Sequence, residues 1–239
     1  MDFAVARYAV WRAGVAAGMA ATAFADGTSA TPNLSAASNL SGNPDVSFIP
    51  PLERRRLTGV ERAALSVAWQ VRPEGEVPVV FASRWGEIGV TVKLMQQFHA
   101  DREMSPAGFS ASVHNAAPGA FSLLTHNHAP YTAIAARARS LEAGILEALV
   151  QGTAVAGRPP YRGPVVFVFA EEATPAFYAP AFGPLQPACA LAVRIEPGGP
   201  FRAAFRAAAC APVSFDAADA FFSGRADALE AASFTLTRA

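Results

Sequence analysis

Charge is scarce in this chain. Only 16% of its 239 residues are Asp, Glu, Lys or Arg, and 19 basic residues balance 19 acidic ones. A neutral chain has no electrostatic footprint for a nucleic-acid backbone or an anionic membrane, so neither is expected as a partner. Cysteine is scarcer still. Cys189 and Cys210 are the only two, too few for a disulfide framework, which fits a reducing compartment. No uninterrupted run of about 18 strongly apolar residues occurs, so a spanning helix is not expected. No repeat at a fixed period is present. What is abundant is hydrophobicity, at 52% of residues. Such a chain can bury a large core and is not disordered. Its length suits one large domain or two small ones.

Two readings compete at the N-terminus. Residues 3–11 (FAVARYAVW) are aromatic and valine-containing, hence strand-like. The same region places Arg7 and Arg12 before GVAAGMAATAFA, with Ala23-Phe24-Ala25 as a small-x-small site. That is the pattern of an export signal, although Gly14 and Gly18 interrupt the apolar run. Residues 26–47 are rich in Ser, Asn, Gly, Pro and Asp and predict a long surface loop.

Beyond the loop, apolar strands alternate with helical patterns. Thr58 and Glu61 form a capping-box pair, and Val60, Ala64, Val67 and Ala68 give the stripe of a buried helix face. Residues 77–83 (VPVVFAS) read as a strand covered on both faces. A helix of about four turns follows, with Ile88, Val92, Met95 and Phe98 as its expected inner face. Ser105-Pro106 breaks it. A helix is expected over 115–125, a strand over 131–136, and a helix from Ser140 with Leu141, Ile145, Ala148 and Leu149 inward, closed by Gly152. Strands are expected over 165–170 and 188–195. The tail offers a strand at 201–207 and a helix over 216–232, interrupted by Gly224. The order β-α-β-α-β-α-β-β predicts a mainly parallel sheet with helices on its faces.

Few residues announce chemistry by themselves. Cys189 lies in an apolar strand, where an inert thiol is expected, and Cys210 has no nearby sequence partner. His126 and His128 stand two apart in a loop, without a third or fourth ligand, so no metal site and no cofactor is expected. Arg54, Arg55 and Arg56 read as a solvated basic turn, or as a contact for a phosphate or an acidic carrier protein. Ser112 or Asn115 can cap the helix that follows them.

Several stretches resemble a family of short proteins similar to the N-terminal part of β-ketoacyl synthases. They are WRAG (11–14), IPPLERRRLTGVERAAL (49–65), VVFASRWGEI (79–88), SPAGFSASVHNAAPGAFSL (105–123), VVFVFAEE (165–172) and PACALAV (187–193). The resemblance covers about residues 1–195 and adds little for the tail. It implies half of a thiolase-like fold: a mostly parallel five-stranded sheet, order 3-2-1-4-5, as residues 1–195, with residues 196–239 as an extension packed on the same domain.

The resemblance also implies a role. Such proteins are associated with aryl-polyene biosynthesis and are similar to chain-length factors, which pair with a catalytic ketosynthase. A catalytic ketosynthase carries Thr-Ala-Cys at the end of the third strand. Here that position falls on Arg137 or Ala138, and neither can form an acyl thioester. None of His99, His114, His126 and His128 matches the family's catalytic histidines, which belong to a second half of the fold. The expected catalytic set is therefore empty. By family position Phe109, Val113, His114, Asn115 and Phe121 approach the acyl tunnel, with Val113 where side-chain bulk limits chain length. Thr132, Ile134 and Ala136 lie on an edge strand expected to meet a partner's sheet. The implied partners are a catalytic β-ketoacyl synthase and, indirectly, an acyl carrier protein, in the cytoplasm. Two other classes compete: a standalone thiol-dependent acyltransferase using Cys189 or Cys210, and an exported binding protein.

Overall fold

Helix α2 (Gly59–Val71) begins where its cap is written. Thr58 Oγ1 accepts from the Glu61 N–H at 3.0 Å, and Glu61 Oε2 accepts from the Thr58 N–H at 2.7 Å. All four residues of the expected stripe, Val60, Ala64, Val67 and Ala68, are buried. The computed structural model describes residues 1–13, 43–152, 163–178, 180 and 187–238. The surface loop expected over 26–47 lies outside these up to residue 42, as does the small-x-small site at 23–25.

Along the chain come β1 (Asp2–Arg12), α1 (Pro51–Arg54), α2, β2 (Val79–Ala82), α3 (Ile88–Asp101), α4 (Pro106–Ala111), α5 (Ala116–Thr125) and β3 (Tyr131–Ile134). Then follow α6 (Ser140–Gly152), β4 (Val165–Glu171), β5 (Cys189–Pro197), β6 (Phe201–Phe205), α7 (Phe215–Phe222), β7 (Ala228–Glu230) and β8 (Phe234–Arg238). The strand-like residues near the N-terminus form β1, in the interior of the sheet.

The described sheet has eight strands in the order β3-β2-β4-β5-β1-β6-β8-β7. The expected five-stranded order 3-2-1-4-5 is wrong. Strand β2 pairs in parallel with β3 and with β4, whereas β5 runs antiparallel between β4 and β1. Consequently β1 points the same way as β2, β3 and β4 but meets them only across β5. Local hydrophobic patterns report which strands are buried and not which neighbours bury them, so the order was not legible. The tail supplies the other three strands: β6 pairs with β1, β8 with β6 and β7 with β8, all antiparallel. The expected tail helix is cut short because Gly224 adopts φ +78, a left-handed turn that starts the path to β7.

Two apolar layers cover the sheet. On one face α6 and α7 pack Leu141, Ile145, Leu149, Phe221 and Phe222 against Phe167, Leu191, Val193 and Ile195. On the other, α2 and α5 pack over Phe81, Val166, Val168, Ala190 and Ala192. Burying each large side chain stabilises the fold by about 1.5–3 kcal/mol. A register shift between Val5 and Arg7 marks a β-bulge in β1. It resets the alternation, so Phe3, Val5, Tyr8 and Val10 all reach one core while Ala9 and Trp11 reach the other. Tail and sheet are also tied electrostatically. Tyr8 donates to Asp219 at 2.5 Å, and Asp219 Oδ2 lies 2.7 Å from both Arg12 and Arg225.

Helix α3 departs from expectation. Only Ile88 and Leu94 are buried on it, and Met95 and Phe98 face outward. The helix packs on α4, a short helix absent from the sequence reading, rather than on the sheet.

Candidate functional site

Strand β3 is the outermost strand at its end of the sheet and pairs only with β2, from Val79↔Tyr131 to Ala82↔Ile134. It is half-exposed, which suits the edge expected for it. Thr132 Oγ1 accepts from Gln151 Nε2 at 3.0 Å, and Ile134 packs against the core under α6. The chain then turns sharply into α6. Ala136 sits at φ −133, ψ 38, and Arg137 at φ +53, a left-handed conformation uncommon for a residue with a side chain. Ser140 holds this elbow. Its Oγ accepts from the Ala136 N–H at 2.9 Å and donates to the Arg137 carbonyl at 2.8 Å. Strained turns of this kind collect at functional sites. Arg137 and Ala138 are exposed there, and neither brings a nucleophilic atom. Arg139 is occupied, pairing with Glu142 at 2.7 Å and with the Cys210 carbonyl at 2.7 Å.

The elements leading to this elbow carry exposed apolar side chains. Met95 on α3 is 60% exposed, Phe109 on α4 57% and Leu123 on α5 78%. Phe98, Val113 and Tyr131 are exposed as well. Scattered single exposures need no explanation, but this concentration in four consecutive elements does. Phe121 stands apart from Phe109 and Val113: it is buried in the core beneath α2. Asn115 precedes α5 without capping it, and Ser112 donates to the Phe109 carbonyl at 2.8 Å instead. The cap expected of either residue is therefore not formed.

Behind the elbow, at the C-terminal ends of β2 and β4, lies a polar knot that sequence reading missed. His114 Nε2 is 3.0 Å from the Ser83 carbonyl, and Gly86 at φ +56 lies so close that a Cβ would meet the imidazole at 3.0 Å. Ser83 Oγ accepts from the Gly86 N–H at 2.7 Å and donates to Glu171 Oε2 at 3.1 Å. Glu171 also accepts from the Arg84 N–H. Burial pushes the Glu171 carboxyl up to about 7. It pushes Glu87 up to about 8, with Glu61 and Glu172 adding repulsion. The signal available was two Glu residues directly after an all-apolar strand, in VVFVFAEE.

The remaining expected residues fall elsewhere. Arg54 donates to the Ile49 carbonyl at 2.9 and 3.2 Å, bracing the chain before α1, while Arg55 and Arg56 are exposed. Between the two loop histidines, Asn127 is buried and clamps Val77, accepting its N–H at 3.0 Å and donating to its carbonyl at 2.8 Å. Cys189 opens β5, and burial with Glu171 nearby pushes its thiol up to about 12, the opposite of an activated nucleophile.

Several solved structures are similar in fold. A ketosynthase (ApeO) in complex with its chain length factor (ApeC) from Xenorhabdus doucetiae matches with TM-score 0.65 and 24% identity, covering 80% of this chain and 82% of that one. The ishigamide ketosynthase/chain length factor matches with TM-score 0.53 and 16% identity, over 73% and 57% of the two chains. A β-ketoacyl synthase from Burkholderia phymatum STM815 matches with TM-score 0.50 and 12% identity, over 93% and 64%. No curated protein matches the chain. Among the described residues no helix is long and apolar enough to cross a membrane. Residues 28–232 match the family described as β-ketoacyl synthase, N-terminal domain, so the similarity runs well into the tail that sequence reading set aside, and the chain belongs to that family.

Proposed function

We propose that this chain is a chain-length-factor-like partner of a catalytic β-ketoacyl synthase, itself without condensing activity. The observation that carries the reading is the elbow after β3. Its backbone keeps a strained strand-to-helix turn, yet its exposed residues are Arg137 and Ala138, which cannot carry an acyl group. Two of the similar solved structures are ketosynthases with chain length factors, which adds support.

In this reading Thr132 and Ile134 on β3, with Ala136 just beyond its end, meet the partner along that free edge. Phe109, Val113, His114 and Asn115 approach the acyl tunnel, and the exposed apolar side chains around them become buried on assembly. A stable interface of ordinary size buries roughly 1,200–2,000 Å². Val113 sets the depth available to a growing aryl-polyene chain by steric exclusion. Arg55 and Arg56 are the cations left free to meet an acidic carrier protein, and the complex works in the cytoplasm.

Co-expression with a full-length β-ketoacyl synthase, followed by size-exclusion chromatography, tests the pairing. Product analysis after Val113→Phe tests the tunnel. Co-elution with shortened products is expected. Persistent separation, or condensation of malonyl units by the isolated chain, refutes the proposal.

A further inference from the structure

A cleft before the N-terminal end of β2, away from the elbow that follows β3, carries a second feature. The bulge in β1 moves Arg7 off the face shared by Phe3 and Val5 and onto the face of Ala9 and Trp11. There it stands directly opposite Arg194 on β5, its Cα partner across the antiparallel pair. Arg194 continues the Ala190 and Ala192 face, on the same side as α2. Like charges directly opposite on neighbouring strands are destabilising, so this register has a cost. Bulges that re-aim a side chain are concentrated beside functional sites.

A third guanidinium joins them. Arg72, just past α2, stacks on the Trp69 ring at 3.1 Å from its centroid and donates to the Trp69 carbonyl at 2.9 Å. Burial lowers its pKa, so its charge is incompletely solvated where it stands. Arg7, Arg72 and Arg194 line one open cleft of about 600 Å³, together with His126, Val77 and Phe121. Three carboxylates, those of Glu74, Glu76 and Glu196, stand near the three guanidiniums. Glu196 lies 3.0 Å from Arg194 Nε, without the alignment of a hydrogen bond. Glu74 and Glu76 also line the cleft but are exposed, and among the described residues neither pairs with Arg7 or Arg72. Arg7 donates to the Gln70 carbonyl at 3.4 Å.

We propose that this cleft binds a small phosphate- or carboxylate-bearing anion through Arg7, Arg72 and Arg194. An oxyanion between them neutralises the opposed pair and takes charge-assisted hydrogen bonds from forks that suit it. The ligand is polar throughout, because Val77 and Phe121 are almost wholly covered by protein and offer little surface for an acyl tail.

Isothermal titration of the full chain near neutral pH, with ionic strength matched by sodium chloride, tests this. Sodium pyrophosphate and sodium malonate are the two probes. Saturable one-site binding of at least one probe, with Kd below about 1 mM, is expected. Pyrophosphate alone identifies a phosphate ligand, and malonate alone a carboxylate ligand. Arg7→Gln should weaken binding by about tenfold or more, the loss of one charge-assisted hydrogen bond. Arg7 is exposed and its loss relieves the opposed pair, so this variant should fold with a melting temperature no lower than that of wild type. Arg72→Met provides a second variant. No saturable binding by either probe, or equal affinity in wild type and both variants, overturns the assignment.

Discussion

Replacing Glu87 by glutamine should change how stability depends on pH. Glu87 is buried, Oε1 accepts from Thr58 Oγ1 at 3.0 Å, and Oε2 has no hydrogen-bond partner among the described residues. Burial, aided by Glu61 and Glu172, pushes its carboxyl from 4.5 to about 8. The folded state therefore holds a proton that the unfolded chain releases above pH ~4.5. Stability is unaffected below that value, falls as pH climbs towards 8, and stays low beyond it. Linkage over a gap of this size amounts to about 3 kcal/mol between pH 5 and pH 8. Glutamine has the same shape and no charge, so it removes that dependence. Urea denaturation at both pH values is the assay. The stability difference between Glu87→Gln and wild type should grow by about 3 kcal/mol from pH 5 to pH 8, a shift of roughly 1–3 M in relative midpoint. Glu171, pushed up to about 7, contributes a slope of the same sign to both proteins and cancels in the comparison. A difference that stays flat with pH refutes the argument that Glu87 is protonated in the fold.

Asn127→Ala leaves the Val77 N–H and carbonyl without their clamp and should cost about 1–3 kcal/mol in chemical denaturation. Gly144→Ala places a Cβ 2.5 Å from Phe167 Cε2 and 2.6 Å from Ala82 Cβ, an overpacking that should cost about 1–3 kcal/mol by the same measurement. Cys189, with its thiol pushed up to about 12, should resist iodoacetamide in native buffer near pH 8 and react once urea unfolds the chain, as read by intact mass with peptide mapping.

What could be read from sequence was what neighbouring residues decide among themselves. The Thr58–Glu61 cap, the α2 stripe and the inward face of α6 are short-range patterns, and each is present. The position of β3 at an edge came from family likeness and also holds, although the order proposed around it does not. The failures share a cause. Placing β1 beyond β5 depends on a pairing across more than 170 residues, about which local periodicity is silent. Met95 and Phe98 looked inward because the stripe assumes a sheet beneath the helix, and α3 rests on α4 instead. The polar knot at Ser83, Glu87 and Glu171 arises from separate strand ends that only the fold brings together. The Arg7–Arg194 opposition was hidden by the bulge, since strict alternation would have turned Arg7 to the other face.

The place of β1 in the sheet has a consequence for biogenesis. Its hydrogen-bonding partner across the longer ladder is β5, and 177 residues separate Arg12 from Cys189. At a ribosomal rate of roughly 5–20 residues per second, β1 waits on the order of 10–35 seconds before that ladder can close. Throughout the delay a ribbon containing Phe3, Val5, Tyr8, Val10 and Trp11 is without its mate, the kind of segment that chaperones sequester. Refolding of the finished polypeptide bears the same burden as loop-closure entropy, so slow assembly and a demand for help during synthesis follow from a single strand's address.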